Sequence, residues 1–195
     1  PSKVYDKTTA AATPIIGTVT GFINNETLNI TGTASALSNS IVGAYVSNVT
    51  YTLGNGNNGG LGSNYTLANS NSLATSITAK PLLVTGLIVP ASKTYDGTTT
   101  ITVSGTKALL ASEATGTGTT FDGAPYTGDT VSLSGTAVLA FSSADVGTNK
   151  NLTISGLTLS GANASNYSIN TAAQVTSNIT PKALTITGAS AAGKS

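Results

Sequence analysis

Val131-Ser132-Leu133-Ser134-Gly135-Thr136-Ala137-Val138-Leu139 alternates apolar and hydroxyl-bearing residues with a period of two. Successive side chains of a strand point to opposite faces, so this pattern places aliphatics on one side and Ser or Thr on the other. The change of phase at Gly135 predicts a bulge or bend. Leu152-Thr153-Ile154-Ser155-Gly156-Leu157-Thr158-Leu159 behaves the same way around Gly156. Leu28-Asn29-Ile30-Thr31-Gly32 and Leu184-Thr185-Ile186-Thr187-Gly188 are shorter versions. Thr, being β-branched, suits a pleated and half-exposed surface. Turn chemistry separates the runs, as in Asn55-Gly56-Asn57-Asn58-Gly59-Gly60 and Asp122-Gly123-Ala124-Pro125. The best helical candidate is the Ala-rich stretch 106–115, which its Thr and Gly neighbours limit to one or two turns.

The strands belong to a duplicated unit. Lys93-Thr94-Tyr95-Asp96-Gly97-Thr98-Thr99 repeats Lys3-Val4-Tyr5-Asp6-Lys7-Thr8-Thr9 at an offset of 95 − 5 = 90 residues. Ser63-Asn64-Tyr65 returns as Ser165-Asn166-Tyr167, and Ile77-Thr78-Ala79-Lys80 as Ile179-Thr180-Pro181-Lys182, both at an offset of 102. Landmarks recurring in the same order mark one module copied and then diverged. Short half-buried strands, all reading as antiparallel, predict two tandem immunoglobulin-like β-sandwich modules. The expected partition is residues 1–80 (degenerate, lacking its first strand), 81–181, and 182–195 as the first strand of a following module, with a joint near 80–90. The competing architecture is a single parallel β-helix, whose coil repeat of about 20–30 residues has no counterpart in the sequence. The chain reads as a window from a longer array, without an export signal at its start.

Composition narrows the chemistry. The chain has 195 residues with no Cys, Met, His or Trp, and its 8 basic residues, all Lys, face 7 acids. Without a basic cluster it has no means of binding nucleic acid through counterion release. Only 8% of residues are charged, yet 39% are hydrophobic, which favours a folded β-structure over a solvated tail. The longest apolar run, Pro81-Leu82-Leu83-Val84-Thr85-Gly86-Leu87-Ile88-Val89, is about half of what a spanning helix needs, so membrane insertion is not expected. Absence of Cys excludes disulfides, thiolate metal sites and a Cys nucleophile.

Candidate sites are few. Asp96-Gly97 is a tight-turn dipeptide, and its counterpart Asp6-Lys7 keeps the carboxylate. Asp96, Asp122, Asp129 and Asp145 could supply calcium oxygens, but the first copy offers no acids at the positions corresponding to the last three. Glu113, Asp122 and Asp129 form the one local acid group. With no His, Cys or Arg, acid–base and nucleophilic catalysis lack recognisable parts, and no enzyme and no cofactor is expected. Gly116-Thr117-Gly118 and Gly54-Asn55-Gly56 lack the strand-to-helix setting of a phosphate loop and read as turns. The recurring Tyr5/Tyr95 and Tyr65/Tyr167 read as packing anchors. Tyr45, Tyr51 and Tyr126, without partners in the other copy, read as exposed rings on which a sugar could stack. Paired Thr-x-Thr steps are scattered over separate strands, unlike the ranks of an ice-binding face. Asn25, Asn29, Asn48, Asn64, Asn151, Asn163, Asn166 and Asn178 each head an Asn-x-Thr/Ser glycosylation sequon.

The Lys-x-Tyr-Asp-Gly-Thr-Thr stretch, Asp145-Val146-Gly147-Thr148, Leu157-Thr158-Leu159-Ser160-Gly161, Ser165-Asn166-Tyr167 and Ile179-Thr180-Pro181-Lys182-Ala183-Leu184-Thr185 together resemble the YDG-type repeat of very large bacterial surface proteins. These include filamentous-haemagglutinin-like, two-partner-secreted adhesins and biofilm matrix proteins. The likeness covers nearly all of the second copy. The first is degraded, with Lys7 in place of Gly and only Val42-Gly43 left of Asp-Val-Gly-Thr. The resemblance implies an extracellular stalk repeat, with no binding site carried over. The expected partners are neighbouring repeats of the same polypeptide, cell-surface glycans or further copies of the chain. Runner-up readings are a carbohydrate-binding module and a filament subunit joined by strand donation.

Overall fold

The computed structural model describes residues 2–115, 120–171, 175–191 and 193. The Gly116-Thr117-Gly118 turn lies wholly outside them, as do residues 192, 194 and 195 of the 182–195 stretch. The described residues form an all-β, sandwich-like fold without an α-helix. In chain order the strands are β1 (Ser2–Val4), β2 (Leu28–Ala34), β3 (Gly43–Asn55), β4 (Ser70–Thr78), β5 (Lys80–Leu82), β6 (Val84–Ile88), β7 (Ser92–Thr94), β8 (Thr100–Ile101), β9 (Ser104–Leu109), β10 (Ser132–Phe141), β11 (Gly147–Ser160), β12 (Tyr167–Ile169) and β13 (Thr176–Thr180). One sheet runs β1-β4-β3-β2 and a second runs β7-β13-β11-β10-β8, so the duplication seen in sequence is repeated in strand order. Two further ladders pair β12 with β5 and β6 with β9.

Two compact units result. The first comprises Pro1–Leu83, Leu109–Ser132 and Leu159–Ile169, and the second comprises Val84–Ala108, Leu133–Thr158 and Asn170–Ser195. Their boundaries do not follow the consecutive partition at residue 80, because unit 1 takes segments from both copies of the repeat. The expected joint at 80–90 contains one boundary between the units, Leu83 to Val84, and is strand for most of its length, β5 and then β6. Lys80 and Leu82 are both 0% exposed, and full burial of a Leu side chain stabilises by about 1.5–3 kcal/mol.

Each unit has its own apolar centre. Unit 1 gathers Tyr5, Leu37, Ile77, Leu82, Tyr126 and Tyr167, with Leu109, Val131 and Leu159 packed against them. Unit 2 gathers Ile101, Leu139, Phe141, Leu152 and Ile179. The inward positions of the alternating runs supply these aliphatics, as the period-two pattern requires.

Three expectations are corrected here. Not every ladder is antiparallel: β1 with β4, β5 with β12 and β7 with β13 are parallel, each over three residues. Most of a repeat separates each pair in sequence, so no hairpin dictates their direction. The longer ladders, β2–β3 and β3–β4, are antiparallel, which is incompatible with a continuous coil of parallel rungs. Stretch 106–115 begins inside β9 and forms no helix; Glu113 makes an isolated bridge to Tyr126. Residues 184–188 belong to no strand, and Leu184 is 91% exposed. The phase changes expected at Gly135 and Gly156 are present. Both adopt positive φ, at 82° and 74°, and a Cβ on either would lie 2.3 Å from a carbonyl oxygen of the facing strand. Only Gly fits there.

Candidate functional site

The Lys-x-Tyr-Asp motif builds the same device twice. In the first copy Asp6 Oδ1 accepts the Thr8 backbone N–H at 2.9 Å, the Thr8 hydroxyl at 2.9 Å and Lys3 Nζ at 2.7 Å. In the second, Asp96 Oδ1 accepts Thr98 N–H at 2.9 Å, its hydroxyl at 2.8 Å and Lys93 Nζ at 2.7 Å. Each is an Asx turn locked by a lysine three residues upstream. The Lys93 hydrogen bond and those of Thr98 hold the Asp96 carboxyl at about 2. Position 97 takes left-handed backbone, φ 80°, which suits Gly; Lys7 adopts φ 64° at the matching position. The strand that carries each motif lies parallel to the last strand of its repeat. Lys3 registers with Ile77 and Lys93 with Ile179, and Tyr5 and Tyr95 donate their N–H groups to Thr78 and Thr180 carbonyls, both at 2.8 Å. The two landmarks found in sequence are therefore hydrogen-bonded neighbours in space.

Beyond the turn the copies diverge. In unit 1 the Tyr5 hydroxyl donates to Asp129 Oδ2 at 2.9 Å, and Tyr167 donates to the same oxygen at 2.6 Å. Lys7 Nζ sits 2.9 Å from Asp129 Oδ1 and donates to the Thr127 carbonyl at 3.0 Å. Lys7 thus accepts an unfavourable backbone conformation and gains a carboxylate with its side chain. Tyr167 closes the ring by accepting the Tyr126 N–H at 3.0 Å. The rings of Tyr5 and Tyr167 meet edge-on at 5.4 Å, a favoured aromatic geometry. Burial would raise the Asp129 pKa, but hydrogen bonds from Tyr167, Lys7 and Tyr5 outweigh it and keep the carboxyl below its ordinary range. Burial and the hydrogen bond to Asp129 push the Tyr5 and Tyr167 hydroxyls up.

A second charged group lies in the same unit. Lys80 Nζ, fully buried, is 2.5 Å from Glu113 Oε1 and 3.0 Å from Asp122 Oδ1, and stands 3.9 Å over the Tyr126 ring. Burial works against the ammonium, yet its hydrogen bonds to Glu113 and Asp122 prevail and hold it above the ordinary lysine range. The Asp122 carboxyl is lowered: burial opposes this and is outweighed by the Ala124 N–H and Lys80.

These contacts relocate several sequence-derived candidates. Tyr126, expected to be exposed, is 2% exposed because its ring roofs the buried lysine. Tyr45 is half-buried with its hydroxyl donating to the Ile41 carbonyl at 2.7 Å, and Tyr51 is half-buried in β3. The four calcium candidates do not converge. Asp96 closes a turn, Asp122 pairs with Lys80 and Asp129 pairs with Lys7, while the Asp145 carbonyl receives Lys150. Among the described residues no group of three or more His, Cys, Asp or Glu could hold a metal ion. Asn166, one of the sequons, is buried with Oδ1 accepting the Val42 N–H, so modification there would break the packing. The assembled groups act chemically as fasteners, with Asp6, Asp96, Glu113, Asp122 and Asp129 each bonded to a lysine.

The YDG domain family matches residues 1–73 and again 78–177. The chain belongs to the YDG domain family. Neither a curated protein nor a solved structure matches it. In this YDG chain one functional correspondence escapes a reading based on the longest motifs. Glu26-Thr27-Leu28-Asn29-Ile30-Thr31-Gly32-Thr33-Ala34 parallels Asp129-Thr130-Val131-Ser132-Leu133-Ser134-Gly135-Thr136-Ala137 at an offset of 129 − 26 = 103. The first copy does carry an acid matching Asp129, contrary to expectation. Tyr65 donates to Glu26 Oε2 at 2.6 Å and accepts the Ile23 N–H at 3.2 Å, reproducing the Tyr167–Asp129–Tyr126 arrangement. The shared Gly-Thr-Ala ending was the available signal.

Proposed function

We propose that this chain is a spacer segment of an extracellular bacterial adhesin, whose repeats support cell-surface attachment or biofilm cohesion by staying folded under load. The same reading takes the sandwich-like units as immunoglobulin-like modules. The observation that carries it is the clasp in unit 1, where Tyr5 of one copy and Tyr167 of the next donate to one Asp129 oxygen. The recurrent side chains of the repeat are thus engaged in holding its copies together. Membership of the YDG domain family accords with a tandem role. Single-molecule stretching of the full chain tests the proposal. Discrete unfolding events are expected, and removal of the Tyr5 hydroxyl should lower the force of one of them. Extension without measurable resistance would overturn the spacer role. The carbohydrate-binding alternative gains nothing from Tyr126, which is buried, and reproducible glycan-array binding would be required to prefer it.

A further inference from the structure

Among the described residues Lys80 is the lysine bonded to two carboxylates, Glu113 Oε1 at 2.5 Å and Asp122 Oδ1 at 3.0 Å, and it is 0% exposed beneath the Tyr126 ring. The other pairs differ in kind. Lys3–Asp6 and Lys93–Asp96 span three residues and close local turns, and Lys7 meets Asp129 with its own side chain 26% exposed. A buried ion pair is a poor way to stabilise a core, since apolar residues of similar volume often do as well or better.

Backbone bonds hold all three groups of the Lys80 site. Lys80 sits in β5, in register with Tyr167 of β12. The Leu83 N–H donates to the Gly123 carbonyl at 2.9 Å, tying the end of β5 to the Asp122 turn. Glu113 donates its N–H to the Pro125 carbonyl at 2.9 Å, and its carbonyl accepts the Thr127 N–H at 2.7 Å. Within the turn the Ala124 N–H donates at 3.0 Å to Asp122 Oδ1, the same oxygen that Lys80 meets. An amine, a carboxyl polarised by a backbone N–H and a second carboxyl within reach of the amine are the parts of an amide-forming site.

We infer that Lys80 and Asp122 condense to an intramolecular amide, with Glu113 as the proton carrier. Glu113 Oε1 takes one proton from Nζ and delivers it to Asp122 Oδ2. The freed amine attacks Asp122 Cγ, and as the C–N bond forms, charge collects on Oδ1 opposite the Ala124 N–H. Glu113 then moves a second proton from the nitrogen to Oδ2, the Cγ–Oδ2 bond breaks and water departs. Ammonium plus carboxylate become amide plus one water, Glu113 ends as it began, and the balance needs no further reactant.

Holding the groups in place replaces a bimolecular encounter, an advantage of about 10⁵–10⁸ M in effective concentration. Exchanging buried charges for a neutral amide favours the product. The Glu113 and Asp122 side chains are 18% and 26% exposed, which gives the released water a way out. Burial disfavours the ammonium but its hydrogen bonds to the two carboxylates outweigh that, so the first proton transfer is uphill and the reaction is slow. One turnover per chain is enough. The ion pair is the state before the bond forms, and the acid response of Asp122 belongs to that state. The bond closes a loop of 122 − 80 = 42 residues around β6 to β9, so tension along the chain passes through the bond and bypasses those strands. This inference goes beyond the spacer role, and its test applies no force, so either can fail alone.

Intact mass of the purified full-length chain, followed by trypsin digestion, is the test. Trypsin cuts after Lys93 and Lys107, separating residue 80 from residue 122 unless their side chains are joined. The expected results are a mass lower by one water and a branched peptide linking Lys80 to Asp122, both absent from Lys80→Arg and from folded Glu113→Gln. Full sequence mass with separate peptides in the unaltered chain would overturn the proposal, and that reading needs no variant to fold. A water loss that persists in Lys80→Arg would overturn it too, because Asp96-Gly97 and Asp122-Gly123 also lose water by cyclising onto their own backbone. A branch from Lys80 to Glu113 would overturn the roles given to the two carboxyls, and a fully linked Glu113→Gln chain would overturn the proton carrier.

Discussion

Tyr5 and Tyr95 occupy the same position in two copies of one motif, yet the first lies deep in a core while the second is 42% exposed. Their turns agree to within 0.1 Å in every matched hydrogen bond of the aspartate. Local chemistry therefore makes the turn without help, because Asp, Thr and Lys at fixed spacing satisfy one another. Burial of the tyrosine is a separate matter. It needs a receiver from another repeat, and unit 1 has one in Asp129, Tyr126 and Tyr167. Unit 2 shows what the motif does without that receiver: it holds its shape and leaves the ring exposed.

Acid should separate the two units most strongly, since it strikes both fastenings of unit 1 together. Asp122 and Asp129 have folded pKa values below their ordinary one, so their stabilisation is complete above about pH 4 and fades as pH falls through the depressed values. The raised hydroxyls of Tyr5 and Tyr167 give a matching alkaline limit. Their contribution is whole below about pH 10 and is lost as pH rises through the raised values. Amide hydrogen exchange followed by position should show unit 1 opening at a less acidic pH than unit 2. Simultaneous loss would mean that the clasp does not set the stability of unit 1.

Lys80→Met should come next. It leaves Glu113 and Asp122 facing each other over Tyr126, and breaking a buried pair costs about 3 kcal/mol, the low end of the usual range because both carboxylates retain some exposure. A two-step thermal melt should show one transition displaced and the other unmoved. Tyr5→Phe removes one donor from a buried carboxylate, at about 1.5–3 kcal/mol. Tyr95→Phe, at a half-open site, should stay within about 0.5 kcal/mol. Equal effects for the two substitutions would erase the distinction between the copies. Lys7→Gly is the finest probe. It relieves a left-handed backbone worth about 1 kcal/mol and gives up the ion pair with Asp129, so denaturant midpoints should barely move. A large loss would show that the ion pair outweighs the strain.

Much of this was legible from residues alone. Val131–Leu139 announced strands by alternation, and Gly135 and Gly156 announced their irregularities. The Lys-x-Tyr-Asp turn was legible as a turn because its partners lie within five residues of one another. Tyr126 was misjudged because no repeat partner marked it, while its burial depends on Lys80, 46 positions earlier (126 − 80). Glu26 was overlooked because its match to Asp129 rests on Thr and Gly spacing instead of a long shared motif.

Sequence by itself determined the β character, the duplication and the shape of each turn, since alternation, repetition and short-range hydrogen bonding are all written in neighbouring residues. Which segments share a core was decided only in three dimensions. Lys80-Pro81-Leu82 reads equally well as a linker or a strand until β12 and the Glu113–Asp122 pair are in place around it. The physical reason is that a strand edge and a buried charge acquire their meaning from partners distant in the chain, and periodicity carries no record of those partners.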